Sequence, residues 1–180
     1  MINIRGKPEW MEAAQMKRKI VVVGGVAGGA SAAARLRRLD EFAEIIVFER
    51  GEDISYANCG LPYYIGGIIE RRQALIVQSP AAMRRRFNID VRIHSEVTAI
   101  LRDSKQVRVR DLTSGDEYLE SYDYLVLSPG AAPIRPPIPG VDLDNVFTIR
   151  NIPDSDAVKR FIEENDIDSA VVVGGGYIGL

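Results

Sequence analysis

Cysteine is nearly absent, with a single residue, Cys59, in a chain of 180. One thiol cannot close an internal disulfide, so no disulfide framework supports the fold, and a reducing, cytoplasmic setting is the expectation. Histidine is equally scarce: His94 stands alone, in an apparent strand outside every motif, and takes no catalytic role. No metal site is expected. An excess of charge of either sign is missing too, with 23 Lys and Arg against 25 Asp and Glu. That balance gives no reason to expect nucleic-acid or membrane-surface binding, so any phosphate site has to be local. No apolar run has the length of a bilayer span or the form of a secretory leader.

Hydrophobic residues at 46% and charged ones at 27% are enough to bury a sizeable core under a polar surface. The length suits one domain or two small ones. Residues 1–16 are mixed in character and are expected to be a disordered extension, because MKRKIVVVGG reads as a natural chain start. From Lys19, KIVVVGG is a continuous, β-branched apolar run ending in glycines, the form of a buried parallel strand. GGASAAARLRRL, residues 28 to 39, is rich in helix formers, and EIIVFE at 44 to 49 is again a buried-type strand. The three segments predict a βαβ unit.

Between strand and helix lies GGVAGG. Aligned to GxGxxG it puts Gly24 and Gly29 at the first and third positions and Val26 at the second, while Gly25, Ala27 and Gly28 keep the loop lean. A tight turn without a ligand is the competing reading of that pattern alone. The flanking strand and helix, and the acidic Glu49 some twenty-five residues on, favour a dinucleotide site. In that reading the helix N-terminus holds a pyrophosphate and Glu49 accepts hydrogen bonds from ribose hydroxyls.

Farther along, SPAAMRRRF predicts a short helix. VRIHSEVTAILRD, QVRVRDL, EYLES and YDYLVLS predict strands joined by turns such as Thr113 to Asp116. PGAAPIRPPIPG cannot be helical and suggests a stiff connection, placing a domain boundary near residues 128 to 150. A helix is expected over PDSDAVKRFIEEN, capped by Asp154 or Ser155, and then SAVVVGGGYIGL predicts a second strand and glycine turn. There Gly174, Gly176 and Gly179 match GxGxxG in full, and the sequence stops at Leu180 before the following helix could form. A βαβ unit needs its crossover and second strand, so a fragment of a longer protein is expected.

Cys59 lies in SYANCGLPYYIGG. Free cysteine is commonly inert core packing. Here Gly60, Leu61 and Pro62 read as the opening of a helix, with proline in the first turn, and a helix N-terminus favours the thiolate. On the first helix Ser31, Arg35 and Arg38 share one face at i, i+4 and i+7, beside an apolar stripe of Ala32, Leu36 and Leu39. A solvated charged face explains those arginines equally well, and a surface helix end explains Arg84, Arg85 and Arg86. Of Tyr63 and Tyr64, at least one is expected to pack in a core.

Taken in order, IVVVGGVAGGASAAARLRRL, IIVFER, SYANCGLPYYIGG, YDYLVLSPGAAP and VVVGGGYIG resemble the single-cysteine branch of the pyridine nucleotide-disulfide oxidoreductases. Within that branch they are most similar to the coenzyme A disulfide reductases. The resemblance runs from about Lys17 to Leu180 and implies a Rossmann-like α/β FAD-binding domain with a β-rich insertion. It assigns that domain to residues 17–130, a Pro-rich connection to 131–150 and the truncated start of a second Rossmann-like, NAD(P)H-binding domain to 151–180. It also implies FAD contacts at Gly24, Gly25, Ala27, Gly28, Gly29, Glu49, Arg50, Val97 and Gly130. NADH or NADPH would lie against Gly174, Gly176 and Gly179, and coenzyme A against Ser31, Arg35, Arg38, Ser55 and Asn58. Cys59 matches the family's redox cysteine. Dithiol relatives carry a second cysteine nearby, and this chain has none, so Cys59 must be oxidised by an outside partner: sulfur as a mixed disulfide or persulfide, or oxygen as a sulfenic acid.

The function implied is reduction of coenzyme A disulfide, or a related persulfide or disulfide, by NAD(P)H through FAD and Cys59, in a homodimer. An NADH oxidase or peroxidase using a cysteine sulfenate, and a fragment that binds FAD without catalysis or is inactive, are the alternatives.

Overall fold

The computed structural model describes residues 17–174. The expected extension over 1–16 and the glycines Gly176 and Gly179 lie outside the described residues. In chain order the elements are β1 (Lys19–Val23), α1 (Ala27–Leu39), β2 (Glu44–Phe48), α2 (Leu61–Ile65), α3 (Pro80–Phe87), β3 (Asp90–Arg92), β4 (Ser95–Leu101), β5 (Gln106–Asp111), β6 (Glu117–Ser121), β7 (Tyr124–Leu127) and α4 (Ile152–Glu164). Single 3-10 turns occur at Asn58–Gly60 and Arg72–Leu75.

These elements form two compact units. One comprises the described chain up to Ser55 together with Gln78–Pro129; the other comprises Tyr56–Val77 and the chain from Gly130 onward. The chain passes from one unit to the other after Pro129. The segment carrying Cys59, however, joins the later unit rather than the strands that flank it in sequence. Its side chains find their partners there: the Tyr64 hydroxyl and the Arg72 guanidinium both donate to Asp156 on α4.

In the first unit β1, β2, β3 and β7 make a parallel sheet in the order β3-β2-β1-β7, with Val21 opposite Ile46 on one side and Leu125 on the other. Successive side chains of a strand point to opposite faces. Ile20, Val22, Ile45 and Val47 accordingly pack with Ala30, Ala33, Ile54, Met83 and Ile89, while Val21, Ile46 and Phe48 pack with Val107 and Val109 of β5. Burial on both faces is why β1 and β2 read as unbroken apolar runs instead of alternating ones.

The strands β4, β5 and β6 form the expected antiparallel hairpins. The β5–β6 turn is held by Asp111, whose Oδ1 accepts from the N–H groups of Thr113 and Ser114 at 2.7 and 3.1 Å. Those bonds keep its carboxyl below the ordinary carboxylate range.

A charged cluster joins the parallel and antiparallel strands. Glu120 on β6 accepts from Lys19 on β1 and from Arg92 Nη1 on β3, the latter at 2.7 Å. Burial alone would raise the Glu120 pKa, but the bonds to Lys19 and Arg92 outweigh it and hold it low. Burial likewise works against the Arg92 cation, and its bonds to Tyr118, Glu120 and Asp90 reverse the effect and raise its pKa.

Three expectations need correction. On α1 the buried residues are Gly29, Ala30 and Ala33, with Leu36 partly buried, whereas Leu39 is 67% exposed and belongs to no apolar stripe. Beside it Arg37 turns inward and donates to the carbonyls of Phe87, Asp40, Glu41 and Asn88, tying together the C-terminal ends of α1 and α3.

The cap of α4 is Asn151, not Asp154 or Ser155. The Asn151 side chain accepts from the Asp154 N–H at 2.9 Å, and Asp154 Oδ2 accepts in return from the Asn151 N–H at 3.1 Å. This is a capping box, in which Asp154 sits three residues inside the helix.

Finally, residues 169–173 form no strand, and Val171, Val172 and Val173 are 90, 67 and 93% exposed. A β-branched run is ordered as a strand only by pairing, and among the described residues none pairs with it.

Candidate functional site

The turn between β1 and α1 is built on contacts too close for side chains. Gly24 has φ +93°, and a Cβ on it would fall 2.0 Å from the Ser128 carbonyl oxygen. A Cβ on Gly29 would fall 1.7 Å from the Gly24 carbonyl oxygen. Both positions therefore require glycine for packing alone. Gly25 is sheltered by Ile54, whose Cγ2 would lie 2.9 Å from an added Cβ. Gly28 differs, since an added Cβ there would meet only the Ser128 side chain, with Oγ at 3.0 Å. Val26, the departure from GxGxxG, is the N-cap residue of α1, and its φ of −88° does not call for glycine.

This helix start has no side-chain cap and no acidic residue in its first turn, and Ala27 and Gly28 are exposed. Uncapped N–H groups at the positive end of a 13-residue helix, with no Cβ at Gly28, suit an anionic group such as a pyrophosphate. Glu49, just past β2, is held beside the turn. Its Oε2 accepts from the Gly25 N–H at 2.8 Å and its Oε1 from the Gly51 N–H at 2.9 Å. Arg50 next to it is exposed.

Ser31, Arg35 and Arg38 all lie exposed on α1, and no acidic group pairs with the two arginines among the described residues. Ser55 has φ +44° and donates its N–H to the Gly25 carbonyl at 3.0 Å, which places it against the glycine turn. Val97, on β4, packs against the cluster of Val21, Phe48 and Val109. These residues belong to the first unit. Gly130 belongs to the second, with φ +74°; a Cβ on it would fall 2.3 Å from Arg150 Nη2. Gly174 has φ +115° with open space around it.

Cys59 is exposed, which excludes inert core packing. It sits in the 3-10 turn Asn58–Gly60, which runs directly into α2, a helix of five residues with Pro62 in its first turn. Next to it the Asn58 Oδ1 is buried without a hydrogen-bond partner among the described residues. An orphaned buried acceptor costs about 1–3 kcal/mol and marks a place where a donor from a ligand can be received. Of the two tyrosines, Tyr64 is buried and Tyr63 is 55% exposed. Burial and the bond to Asp156 raise the Tyr64 pKa, so its hydroxyl stays a donor. Sequence reasoning missed Asp156 and Arg72 entirely, because no local pattern connects them to the cysteine. The spacing of Asn151 and Asp154 did carry a capping signal.

A Rossmann-like sheet, a glycine turn at its first strand and an exposed single thiol define a nucleotide-dependent redox protein. The profile of the pyridine nucleotide-disulphide oxidoreductases matches residues 18–180, and the chain belongs to that family. Its members are FAD-dependent oxidoreductases that use NADH or NADPH. The chain is 44% identical to the coenzyme A disulfide reductase of Staphylococcus aureus over 162 residues, which is 90% of this chain and 36% of that protein. It thus spans about a third of the length of the curated relatives it matches.

Among solved structures, reduced CoADR-RHD of Bacillus anthracis is 57% identical with a TM-score of 0.88, covering 91% of this chain and 29% of that one. The NAD-dependent persulfide reductase of A. fulgidus is 37% identical with a TM-score of 0.77, covering 81% and 27%. The fold class and the likeness to coenzyme A disulfide reductases expected from the motifs both stand. Among the described residues no helix is long and apolar enough to cross a membrane.

Proposed function

We propose that this chain serves the reduction of coenzyme A disulfide, or a related persulfide or disulfide, by NAD(P)H through Cys59. The observation that carries the reading is the exposed thiol of Cys59, alone in the sequence and adjacent to the orphaned Asn58 carboxamide oxygen. Relatives named for coenzyme A disulfide and persulfide support that substrate class.

In this reading Gly24, Gly25, Ala27, Gly28 and Gly29 hold the FAD pyrophosphate at the start of α1. Glu49, Arg50, Val97 and Gly130 would be further FAD contacts, with Glu49 accepting from ribose hydroxyls. Gly174, Gly176 and Gly179 serve NADH or NADPH. When bound, the flavin supplies a two-electron relay between nicotinamide and sulfur. Arg35 and Arg38 take coenzyme A phosphates as charge-assisted donors, with Ser31, Ser55 and Asn58 completing the contacts.

The Cys59 thiolate attacks one sulfur of the substrate disulfide, forming a Cys59–coenzyme A disulfide and releasing one coenzyme A thiolate. Two electrons from NAD(P)H then cleave that bond and return the Cys59 thiolate and a second coenzyme A thiolate. The full-length protein works as a homodimer.

Intact-mass measurement after incubation with coenzyme A disulfide tests the reading. The wild type is expected to gain one coenzyme A, reversibly by dithiothreitol, and Cys59→Ser to gain none. A wild type that takes up no coenzyme A but is converted to a sulfenic acid by peroxide would point to oxygen chemistry instead.

A further inference from the structure

The segment that carries Cys59 is too short to keep its own shape. α2 has five residues and no side-chain cap, whereas an isolated helix needs about 12–15 residues even to be marginal in water. Its shape comes from two walls. One is α2 itself, which buries Leu61 and Tyr64 and sends the Tyr64 hydroxyl to Asp156 Oδ1 at 2.9 Å. The other is the 3-10 turn Arg72–Leu75, whose fully buried Leu75 abuts the residue after the cysteine: a Cβ on Gly60 would fall 2.8 Å from Leu75 Cδ2. The Ala57 N–H donates to the Leu75 carbonyl at 2.8 Å, closing the loop from the other end. Arg72, from that same turn, donates through Nε to Asp156 Oδ2 at 3.1 Å.

One carboxylate on α4 therefore joins both walls, one oxygen to each. Lys159, one turn farther along α4, lies 5.2 Å from the Tyr64 ring centre. The Asp156 side chain is 26% exposed, so this is a partly sheltered pair and not a freely solvated one.

We propose that Asp156 is a positioning residue for Cys59, bracing α2 and the Arg72–Leu75 turn so that the thiol is presented in one orientation to an incoming disulfide. This rests on the reading of Cys59 as the redox thiol. Asp156 touches neither substrate nor sulfur; it acts through Tyr64, Arg72 and Leu75.

The test compares the full chain with Asp156→Ala, Asp156→Asn and Tyr64→Phe. Two readouts need no coenzyme A: the pH profile of Cys59 alkylation by iodoacetamide, and hydrogen exchange of the amides of residues 57–66. A third is the rate of adduct formation with coenzyme A disulfide. Asp156→Ala is expected to speed exchange over 57–66 about tenfold, shift the alkylation profile and slow adduct formation about tenfold. Asp156→Asn, which keeps an acceptor for Tyr64 and loses the ion pair, and Tyr64→Phe, which removes one arm, should each fall between. A folded Asp156→Ala protein with the wild-type alkylation profile and wild-type exchange over 57–66 overturns the proposal. Should that variant not fold, wild-type behaviour of both milder variants overturns it equally. If the wild type itself takes up no coenzyme A, the functional reading fails, while alkylation and exchange still decide the role of Asp156.

Discussion

The carbonyl oxygen of Gly24 occupies the space that a Gly29 side chain would need, only 1.7 Å from the position of its Cβ. At Gly28 the same addition meets only the end of a serine side chain, which can rotate away. The two glycines are thereby separable. Gly29→Ala is expected to cost ~4 kcal/mol or more, because backbone has to move, and to lower the melting temperature sharply. Gly28→Ala should keep or slightly raise stability, since glycine inside a helix costs ~0.5–1 kcal/mol relative to alanine. The alanine methyl then stands where a pyrophosphate would approach, so flavin retention on purification should fall while the melting curve of the flavin-free protein does not.

Glu120 predicts an acid-sensitive fold. Its folded-state pKa is depressed, so the stabilisation is present above the unfolded carboxylate value, near ~4.3, and is lost as pH falls through the folded value. Glu120→Gln should lower stability at neutral pH by ~1–3 kcal/mol, as expected when charged bonds to Lys19 and Arg92 are broken. Urea melts across pH should show the gap between variant and wild type narrowing below about pH 4. Arg92 stays charged throughout that range, its pKa being raised. A gap independent of pH would show that the cluster contributes by packing.

The capping box at α4 predicts a local loss. Asn151→Ala should cost ~1 kcal/mol, and Asp154→Ala a similar amount. A double-mutant cycle should show the two losses to be less than additive, because each side chain bonds the other's backbone. Additive losses would mean that the two bonds act separately.

The proposed role of Arg35 and Arg38 in holding coenzyme A phosphates gives a prediction about specificity. Replacing either by alanine in the full-length enzyme should raise KM for coenzyme A disulfide about tenfold, the scale of one charge-assisted bond, and leave turnover of a small aromatic disulfide unchanged. Equal loss with both substrates would move these residues from substrate binding to fold maintenance.

Much of this was legible from short-range pattern. The unbroken apolar run of β1 announces a strand buried on both faces, the glycines after it announce the turn, and the Ala- and Arg-rich stretch announces α1. Other features were misread for identifiable reasons. Leu39 has the right period for the buried face of α1, yet the helix ends there and the side chain has nothing to pack against. Asp154 has cap chemistry, but Asn151 stands three residues earlier and takes the role. The valines at 171–173 have strong strand propensity, and propensity without a neighbouring strand leaves them exposed.

Counting and local order alone establish that Cys59 has no partner thiol within the chain and that a glycine turn follows β1, because residue tallies and backbone periodicity are written along the chain. The surroundings of that thiol are of another kind. Asp156 lies 92 residues from Tyr64 and 84 from Arg72 along the chain, and no periodicity relates positions so far apart. Only folding decides that one carboxylate meets both walls of the cysteine segment, since the directions of side chains on separate elements are set by how those elements pack.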